Sequence, residues 1–583
     1  MNNGSYYSGL TFILLIVVFM LILFISGIRD QKKKTAFFRS KLKTDFGQLP
    51  AAFEKSADSP SGSSLSSDDI RRISGYYRFH KNAHCIDDIS WNDLDLERLY
   101  ERIDYTQSSA GEQYLYWQLR TPALSFSSAK LPDKAISSIA EKDELRCNYQ
   151  CELHELGKAG KYSVYDSLLE ARNYESKGNI ANYLAIAFFI LSIVILFVQT
   201  QIGVLLLITA IAVNTISYYR EKAGIDSYLS TFRYLLRILR CADRMSALSR
   251  RSDNDPFSSE IDELKSLVKC FDHFRRGSSI LMTTSGTGSN PINMIFDYVR
   301  IMLHLDLIKF NSMMNEVADN YDKADRIIGI TGYIDAVISS ACFRASMPEF
   351  CIPELREGND TAITASDVYH VLIKNGKAVP NSISTSGRVL LTGSNASGKS
   401  TFLKSAAICA LLSQTISTAP ASKYTAPFFR IYSSMALRDD LIGGESYFIV
   451  EIRSLKRILD ASDDHSTNAP ILCFIDEVLR GTNTVERISA SSEILMDFAG
   501  RGIACFAATH DIELCSLLEA EYDNYHFTES IVDSDIQFSY KLLGGRADSR
   551  NAIKLLGAIG YDKSIIANAE ERAGRFLSTG EWS

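Results

Sequence analysis

The sequence predicts a C-terminal α/β domain with a parallel sheet, preceded by an all-α domain that carries transmembrane helices. From about Thr364 onward, short apolar segments alternate with segments of helical periodicity, which is typical of a parallel α/β domain. Residues 223–347 instead show helical periodicity with mixed charge, as in a helical bundle. Two long apolar stretches carry no charged side chain, which is typical of membrane helices.

The overall composition is that of a folded protein with several domains. The chain has 583 residues, which is long enough for more than one large core. Hydrophobic residues make up 46% and charged residues 22%, which excludes a wholly disordered chain. The formal net charge is −7, so the protein has no overall basic character. Contact with nucleic acid would therefore require a local basic patch.

The first apolar stretch runs from Leu10 to Ile28 without a charge. About twenty such residues are needed for a helix to cross the ~30 Å hydrocarbon core of a bilayer. A cleaved signal peptide would begin with basic residues and have a shorter apolar run, whereas residues 1–9 contain no Lys or Arg. Arg29 and residues 32–34 form a basic cluster directly after the run. By the positive-inside rule the following chain starts in the cytoplasm, and we predict that residues 1–28 are an N-terminal transmembrane anchor.

Residues 29–69 are predicted to be a cytoplasmic tether. The segment starts with basic residues and then becomes rich in Ser, Ala, Asp and Pro, a composition typical of a flexible linker. We therefore expect ordered structure to begin near Ile70.

The second apolar stretch covers residues 180–217 and is interrupted by polar residues and a glycine at 199–203. This pattern favours two helices joined by a polar turn. A hairpin that enters and leaves the bilayer would return the chain to the cytoplasm, between Lys177 and Arg220, although the second arm, 202–217, is short for a full span. The alternative is a hairpin buried in a soluble core, since neither arm has the charged face of a surface helix. We predict a multi-pass protein of the cell membrane.

The strongest motif in the sequence is GSNASGKS, which runs from Gly393 to Ser400. It matches the phosphate-binding loop pattern of Gly, any four residues, Gly, Lys, and Ser or Thr. The strand-like segment RVLLT precedes it and the helix-like segment TFLKSAAICALL follows it. Gly393 and Gly398 permit the tight backbone that directs N–H groups at phosphate, and the helix N-terminus favours the anion.

This loop predicts a P-loop NTPase fold with a site for ATP and Mg²⁺. Lys399 is expected to reach the β- and γ-phosphates, and the hydroxyl of Ser400 to ligate Mg²⁺. The predicted nucleotide-binding residues of the loop and the following turn are Gly393, Ser394, Asn395, Ala396, Ser397, Gly398, Lys399, Ser400 and Thr401.

Two further apolar segments end in residues suited to hydrolysis. The segment ILCFIDE ends in Asp476, which can hold the Mg²⁺ shell, and Glu477, which can act as general base on the attacking water. The segment GIACFAATH ends in His510, which is predicted to sense the γ-phosphate and hold the water. A purely structural histidine is the alternative for His510.

Four segments resemble motifs of the ATPase domain of the MutS mismatch-repair family, in the family's order. GSNASGKST resembles the family's GPNMGGKST, including Asn395. The segment GGESYFIVEI at 443–452 is similar to STFMVEM, DEVLRGTNT at 476–484 to DE-x-x-RGT, and ATHDIEL at 508–514 to ATHYFEL. The four motifs together are far more specific than any one of them.

The resemblance implies an ABC-type ATPase domain that hydrolyses ATP and forms a homodimer. By the match to the signature segment, Ser446 would contact the γ-phosphate bound by the other subunit. A weaker resemblance extends to roughly Ile86–Arg575 and makes residues 70–347 a helical lever domain, interrupted by the apolar hairpin at 180–217. Residues 348–583 then form the ATPase domain with C-terminal dimerisation helices. The family name also implies contact with DNA.

The chain departs from the family in several places. MutS proteins that find mismatches carry a preceding domain with a Phe-x-Glu wedge, and residues 1–85 contain no Phe-x-Glu. The lever region is short once 180–217 is assigned to the membrane. Leu479 stands where the family usually has Gly, and Ala396 and Ser397 replace Met-Gly in the loop. These departures leave the ATP chemistry intact but argue against mismatch recognition.

The leading hypothesis is a dimeric MutS-like ATPase whose levers close on ATP binding and open on hydrolysis. Whether the levers hold DNA stays open, because the pairs Arg250–Arg251 and Arg275–Arg276 fit phosphate contacts and a solvated helix surface equally well. The runner-up is a membrane-bound mechanical or transport-associated ATPase that acts on a protein or lipid. Transport is disfavoured because the LSGGQ signature is absent and the predicted spans are few. A non-catalytic scaffold is disfavoured because all the residues predicted for catalysis are present.

Overall fold

A computed structural model defines a helical N-terminal region and a C-terminal region of mixed α/β structure. The predicted all-α region followed by an α/β region is therefore confirmed. The described residues are 26, 29–30, 32–56, 64–160, 163–172, 178–222, 226–252, 254–276, 278, 298–299, 301–374, 376–394, 397–435, 447–479, 482–532, 535–546, 553, 556 and 561–579. The apolar run predicted as the N-terminal anchor lies almost wholly outside them.

The N-terminal region is helical, with short 3-10 helices at Phe126–Ser128 and Lys269–Phe271. Its helices are α1 (Ala51–Ser56), α2 (Ser67–Ile73), α3 (Gly75–His80), α4 (Asp88–Asp93), α5 (Leu96–Ile103), α6 (Ser109–Arg120), α7 (Asp133–Glu141), α8 (Asp143–Leu156), α9 (Val164–Arg172), α10 (Ile180–Val198), α11 (Thr200–Lys222), α12 (Asp226–Ser249), α13 (Ser258–Val268), α14 (Asp272–Arg275), α15 (Leu305–Asp319) and α16 (Tyr321–Ala345).

Helix α16 forms the centre of this region and is buried along most of its length. It packs against α6 so closely that a Cβ at Gly332 would lie 2.6 Å from the carbonyl oxygen of Ala110. Asp335 on α16 accepts a hydrogen bond of 2.9 Å from the backbone N–H of Ser108, just before α6 begins. Burial raises the pKa of Asp335 to about 7. Helix α16 thus supplies an acceptor for a backbone N–H at the N-terminus of α6, which has no acceptor within α6 itself.

Ordered structure begins earlier than the sequence predicts. Residues 32–45 are helical, and α1 follows them. The ring of Phe38 stacks on His154 with centroids 3.8 Å apart, Phe46 packs on the core, and Phe53 is buried. The expectation of a tether up to Ile70 is wrong for these residues, because three phenylalanines dock the segment on the helical region.

Residues 180–217 form the predicted pair of helices. Helix α11 runs to Lys222 and has 23 residues, so the second arm is longer than its apolar run. Only 11% of the most apolar 18 residues of α10 and 22% of those of α11 are buried inside the protein. The hairpin is therefore exposed and not enclosed in a soluble core. Helix α16 is also long and apolar enough to cross a membrane, but 89% of its most apolar 18 residues are buried inside the protein.

Buried polar side chains join the hairpin to the helical region. The imidazole of His304 is fully buried, with Nδ1 2.9 Å from Oδ1 of Asn182 on α10 and Nε2 3.2 Å from the backbone oxygen of Asn214 on α11. The side-chain amide of Asn214 donates to a backbone carbonyl at 3.0 Å. The hydroxyl of Tyr218 donates to the carboxylate of Asp306 at 2.5 Å. We call this cluster the hairpin base; its members are Asn182, Asn214, Tyr218, His304 and Asp306.

The C-terminal region contains two sheets and the helices that pack on them. The strands are β1 (Glu354–Arg356), β2 (Ile363–Val368), β3 (Asn381–Thr385), β4 (Arg388–Thr392), β5 (Lys423–Pro427), β6 (Arg430–Ser434), β7 (Ile471–Asp476), β8 (Ala504–Ala508), β9 (Asp523–Val532) and β10 (Asp535–Gly544). The helices are α17 (Lys399–Thr415), α18 (Tyr447–Ser462), α19 (Thr484–Gly500), α20 (Ile512–Leu517) and α21 (Lys563–Thr579).

The larger sheet has the strand order β10-β9-β4-β8-β7-β6, and every neighbouring pair is parallel except β10 with β9. The smaller sheet has the order β1-β5-β2-β3 and is antiparallel at two of its three pairings. The parallel sheet was predicted, whereas the smaller antiparallel sheet has no motif that announces it.

Buried hydrogen bonds join the two regions. The side-chain amide of Gln414 on α17 donates to the carbonyl of Ala123 at 2.8 Å. At the end of β6, the hydroxyl of Ser433 and the backbone N–H of Met435 both donate to the carboxylate of Asp93, at 2.7 and 2.9 Å. The helix after the glycine loop and the edge strand of the sheet are thus fixed directly to the helical region.

Candidate functional site

The predicted site residues lie at the carboxyl ends of three adjacent parallel strands. In the registers of β4 with β8 and of β8 with β7, Ala508 pairs with both Leu391 and Asp476. The loop 393–398 follows β4, Asp476 ends β7, and His510 follows β8. In open parallel sheets this edge is where ligands bind. The topology therefore gathers motifs that are far apart in the sequence.

The first and last residues of the loop 393–398 have backbone conformations that favour glycine. Gly393 has φ 143° and Gly398 has φ 108°, both in the left-handed region. A Cβ at Gly393 would lie 2.8 Å from the carbonyl oxygen of Phe527 on β9. Gly398 caps the N-terminus of α17. The first N–H groups of a helix have no acceptor within the helix itself, so this end of α17 suits an anion.

The side chain of Lys399 bonds back to the first two residues of this loop. Its ammonium donates to the carbonyl oxygens of Gly393 at 2.7 Å and Ser394 at 2.8 Å, and the residue is only 5% exposed. These acceptors are neutral, so an anion in the loop would offer Lys399 a stronger, charge-assisted hydrogen bond. The hydroxyl of Ser394 donates to the carboxylate of Glu529 on β9 at 2.8 Å. No sequence motif marks Glu529.

The two residues predicted to ligate a metal lie side by side. The hydroxyl of Ser400 donates to Oδ2 of Asp476 at 2.5 Å. One oxygen comes from the first turn of α17 and the other from the end of β7. Hydroxyl and carboxylate oxygens are hard ligands that suit Mg²⁺.

The two residues predicted to be catalytic are also in contact. Nε2 of His510 lies 2.8 Å from Oε1 of Glu477, and both side chains are partly exposed, at 35% and 24%. Glu477 has φ 65° and Leu479 has φ 59°, which for residues other than glycine costs roughly 1–3 kcal/mol each. The backbone N–H of Glu477 donates to the carbonyl of Ala508 at 3.0 Å. A strained loop at the sheet edge thus presents the carboxylate.

An ion pair that the sequence did not predict lies beside His510. The guanidinium of Arg487 on α19 donates two hydrogen bonds to the carboxylate of Asp511, at 2.8 and 2.6 Å. These hydrogen bonds raise the pKa of Arg487. Asp511 lies in the motif ATHDIEL, so the sequence could have indicated Asp511 itself. Its partner Arg487 lies outside that motif and is brought near only by the fold. The two-pronged contact fixes the backbone next to His510.

The remaining predicted residues are Asn395, Ala396, Ser397, Thr401 and Ser446. Ser397 is buried in the loop, and Thr401 is exposed on α17. Asn395, Ala396 and Ser446 lie outside the described residues, and their roles stay predictions.

The arrangement combines three kinds of chemistry at one sheet edge. The glycine loop and Lys399 offer N–H donors to an anion. Ser400 and Asp476 offer oxygen ligands to a divalent cation. Glu477 and His510 offer a base and a hydrogen-bonding partner for water. These are the parts that phosphoryl transfer to water requires.

Comparison with known proteins identifies relatives of this C-terminal region. A family model described as MutS domain V matches residues 389–576. The chain is 29% identical over 290 residues to the DNA mismatch repair protein MutS of Natronomonas pharaonis, across 47% of this chain and 32% of the relative. It is 30% identical over 275 residues to the protein of that name from Clostridium perfringens, across 45% of this chain and 30% of the relative.

A third relative, the DNA mismatch repair protein MutS of Thermotoga petrophila, is 35% identical over 187 residues, across 31% of this chain and 23% of the relative. The chain thus spans less than a third of the length of each of these relatives. The matched residues 389–576 contain the loop, both pairs of contacting side chains and the ion pair beside them. Residues 389–576 of this chain are thus similar to domain V of MutS proteins.

Proposed function

We propose that this protein is a membrane-anchored ATPase that hydrolyses ATP with Mg²⁺ at the C-terminal site. The observation that carries the proposal is the presence of two contacting pairs at one sheet edge, Ser400 with Asp476 and Glu477 with His510. Asp476 and Glu477 are neighbours in the chain, so a cation site and a water-activating group are adjacent. The loop closed by Lys399 supplies the third part, a seat for phosphate.

In this proposal the residues from Gly393 to Thr401 bind the phosphates of ATP. Lys399 exchanges its two loop carbonyls for phosphate oxygens, and the N-terminus of α17 adds a favourable dipole. Ser400 and Asp476 would hold Mg²⁺, which when bound neutralises charge on the phosphates. Their oxygen atoms already lie 2.5 Å apart, and both are hard donors of the kind this ion prefers.

Glu477 orients the attacking water and accepts its proton, while the oxygen joins the γ-phosphorus and the bond to ADP breaks. His510 contacts the Glu477 carboxylate and holds the water from the other strand. The Arg487–Asp511 pair keeps the backbone beside His510 in place. By the resemblance to the signature segment, Ser446 reaches the nucleotide of a partner copy, so the working unit is a homodimer joined through the ATPase domains.

The first support for membrane attachment is the direction of the helix at residues 32–45. Phe38 of this helix stacks on His154, near the end of α8. Phe46, just beyond the helix, lies under the guanidinium of Arg146, near the start of α8. The helix is therefore antiparallel to α8, and its N-terminal end lies at the C-terminal end of α8.

The second support is that the hairpin joins the helical region at the same end. Helix α12 follows the hairpin and is also antiparallel to α8, because Cys241 contacts the backbone of Glu152 at 3.5 Å and Lys142 donates to the backbone of Asn254 at 2.5 Å. Both α12 and the 32–45 helix thus begin on the side of the C-terminal end of α8. One bilayer on that side would accept both the anchor at 1–28 and the hairpin, with the ATPase domain in the cytoplasm.

The ATPase proposal is tested on the purified full chain in detergent or bilayer discs. Glu477→Gln should lower kcat on the order of 100-fold or more, because the general base is lost while the phosphate loop is intact. Binding of ATP should persist, and chelation of Mg²⁺ should abolish turnover. Glu493→Gln, on an exposed position of α19, is the matched control and should behave as the wild type. Equal turnover by Glu477→Gln and the wild type would refute the proposal.

The membrane proposal is tested with a cysteine at the hairpin turn. Thr200→Cys should react with a membrane-impermeant maleimide in intact cells, because the turn would lie outside. Cys270, which is exposed in the helical region, should react only after permeabilisation and serves as the internal control. Labelling of Thr200→Cys only after permeabilisation would place the whole hairpin on the cytoplasmic side.

What the levers act on is a separate question, and the two candidates are DNA and a membrane component. The relatives' names favour DNA, but Arg275 donates to Asp243 at 2.6 Å, so part of the expected basic patch is already neutralised. The exposed hairpin favours a mechanical ATPase that acts on a lipid or membrane protein. Stimulation of ATP hydrolysis by duplex DNA that weakens with salt would decide for DNA, whereas indifference to every DNA would decide for the alternative.

A further inference from the structure

Glu451 on α18 contacts the loop that carries the proposed general base. Its Oε1 accepts a hydrogen bond of 2.6 Å from the backbone N–H of Leu479. Glu451 is 2% exposed and Leu479 is 3% exposed, so the contact is shielded from water. A carboxylate that accepts a backbone N–H in such a setting makes a strong hydrogen bond. Glu451 lies in the segment 443–452 that resembles the family signature, but the resemblance assigned a role only to Ser446.

The loop at this contact holds an unfavourable backbone conformation. Glu477 and Leu479 both have left-handed φ angles, which persist only when surrounding contacts impose them. The N–H of Glu477 is held by the carbonyl of Ala508 on β8 at 3.0 Å, and the N–H of Leu479 by Glu451. The strained segment is thus fixed from both sides, by a strand and by a helix, and its direction sets where the Glu477 carboxylate lies.

Helix α18 is itself a firm support. Six residues after Glu451, the guanidinium of Arg457 donates to Asp87 of the helical region at 2.6 Å and to the carbonyl of Ser433 on β6 at 2.6 Å. The helix is therefore tied both to the sheet and to the helical region. A carboxylate on such a support can hold a backbone group more accurately than one on a free loop.

We propose that Glu451 is a positioning residue for hydrolysis, which holds the Leu479 backbone so that the Glu477 carboxylate meets the attacking water. This inference rests on the proposed ATPase function. Glu451 does not touch the nucleotide in this scheme, so it affects the chemical step and not nucleotide binding. The effect travels through one backbone N–H, which any carbonyl-type oxygen at the same place can accept.

The test compares Glu451→Ala with Glu451→Gln in the purified full chain. Glu451→Ala removes the acceptor and should lower kcat on the order of tenfold to a hundredfold, with KM and ATP affinity unchanged. Glu451→Gln keeps an oxygen acceptor and should stay within a few-fold of the wild type. Adding Glu451→Ala to Glu477→Gln should lower the residual rate no further, because the two residues act on one step. Glu493→Ala is the matched control.

Hydrogen exchange separates failure of this inference from failure of the proposed function. The Leu479 amide should exchange faster in Glu451→Ala than in the wild type, while amides of α17 keep their protection and show that the fold is intact. If the wild type hydrolyses ATP through Glu477 but Glu451→Ala keeps full kcat, or loses ATP affinity in parallel with kcat, the positioning role is overturned. If the wild type shows no Glu477-dependent turnover, the proposed function fails, and unchanged exchange at Leu479 would overturn the contact independently.

Discussion

The hairpin and the C-terminal α/β region distribute polar and apolar side chains in opposite ways. On the hairpin, Phe197 is 85% exposed, whereas His304 and Asn214 are fully buried at its base. In the larger sheet, every residue of the central strand β8 is buried and apolar, and the polar groups of the candidate site lie at the strand ends. The α/β region has the distribution expected of a protein in water with a polar ligand site. The hairpin has the distribution expected of a segment surrounded by hydrocarbon. Exposure of apolar surface is informative only when it is continuous, as it is on α10 and α11.

The strongest test of this comparison is to introduce one lysine into each region. Ile190, near the middle of α10, is 52% exposed, and Ile190→Lys should oppose insertion by roughly 2.5–3.5 kcal/mol. Labelling of Thr200→Cys in intact cells should fall accordingly. Met496 on α19 is 41% exposed, and Met496→Lys should change neither labelling nor ATP turnover. Equal labelling with and without Ile190→Lys would show that the hairpin does not lie in hydrocarbon.

The C-terminal region also contains a buried imidazole, that of His370. Its titration tests how strongly the interior of this region, unlike the partly exposed site at the strand ends, excludes water. Burial lowers the pKa of His370 from 6.5 to about 4. The unfolded chain takes up this proton near pH 6.5 and the folded chain only near pH 4, so stability is lost as the pH falls between them. A pKa difference of this size corresponds to roughly 3 kcal/mol.

We expect the urea midpoint of the C-terminal region, followed by hydrogen exchange of α17 peptides, to fall on acidification through this range. In His370→Gln the fall should be smaller, because no imidazole is protonated on unfolding. An identical pH dependence in both proteins would show that His370 is accessible to protons in the folded state.

The smallest expected effect concerns the hairpin base. Asn214→Leu leaves a buried backbone carbonyl without its side-chain donor, which should cost about 1–3 kcal/mol. Hydrogen exchange of residues 301–306 should accelerate as the base opens locally. Thr209→Leu changes an exposed position of the same helix and should leave exchange as it is. If both variants exchange like the wild type, the base does not hold the hairpin.

The sequence predicts the site better than it predicts what supports the site. Phosphate and metal chemistry demand fixed residue types at fixed spacings, so binding roles for Lys399, Ser400 and Asp476 could be proposed from motifs alone. Glu451 and Glu529 could not be assigned roles, because each acts through a backbone or side chain that only the fold brings near. Local motifs encode groups that meet a ligand, and tertiary structure encodes the groups that hold them.

The fold itself shows the same division. Alternating apolar segments predict the α/β region and the hairpin, because these depend on periodicity and length. Composition concealed the docked segment at residues 32–56, because the packing of three phenylalanines outweighs the polar residues around them. Composition also predicted that the second arm of the hairpin ends earlier than α11 does. Arg220 and Lys222 are favourable in the last turn of a helix, so the helix continues through them.

The hairpin has a mechanical consequence that follows from its two ends. Beside the turn its helices touch, since a Cβ at Gly203 would lie 2.3 Å from the backbone of Leu196, and at the other end His304 lies between them. Two rods fastened at both ends resist splaying and turn as one body. A helix of 19 residues is roughly 28 Å long, so a tilt of about 10° at the base would sweep the turn through roughly 5 Å. A small rotation of the helical region would thus become a displacement large enough to move a lipid headgroup or a neighbouring helix.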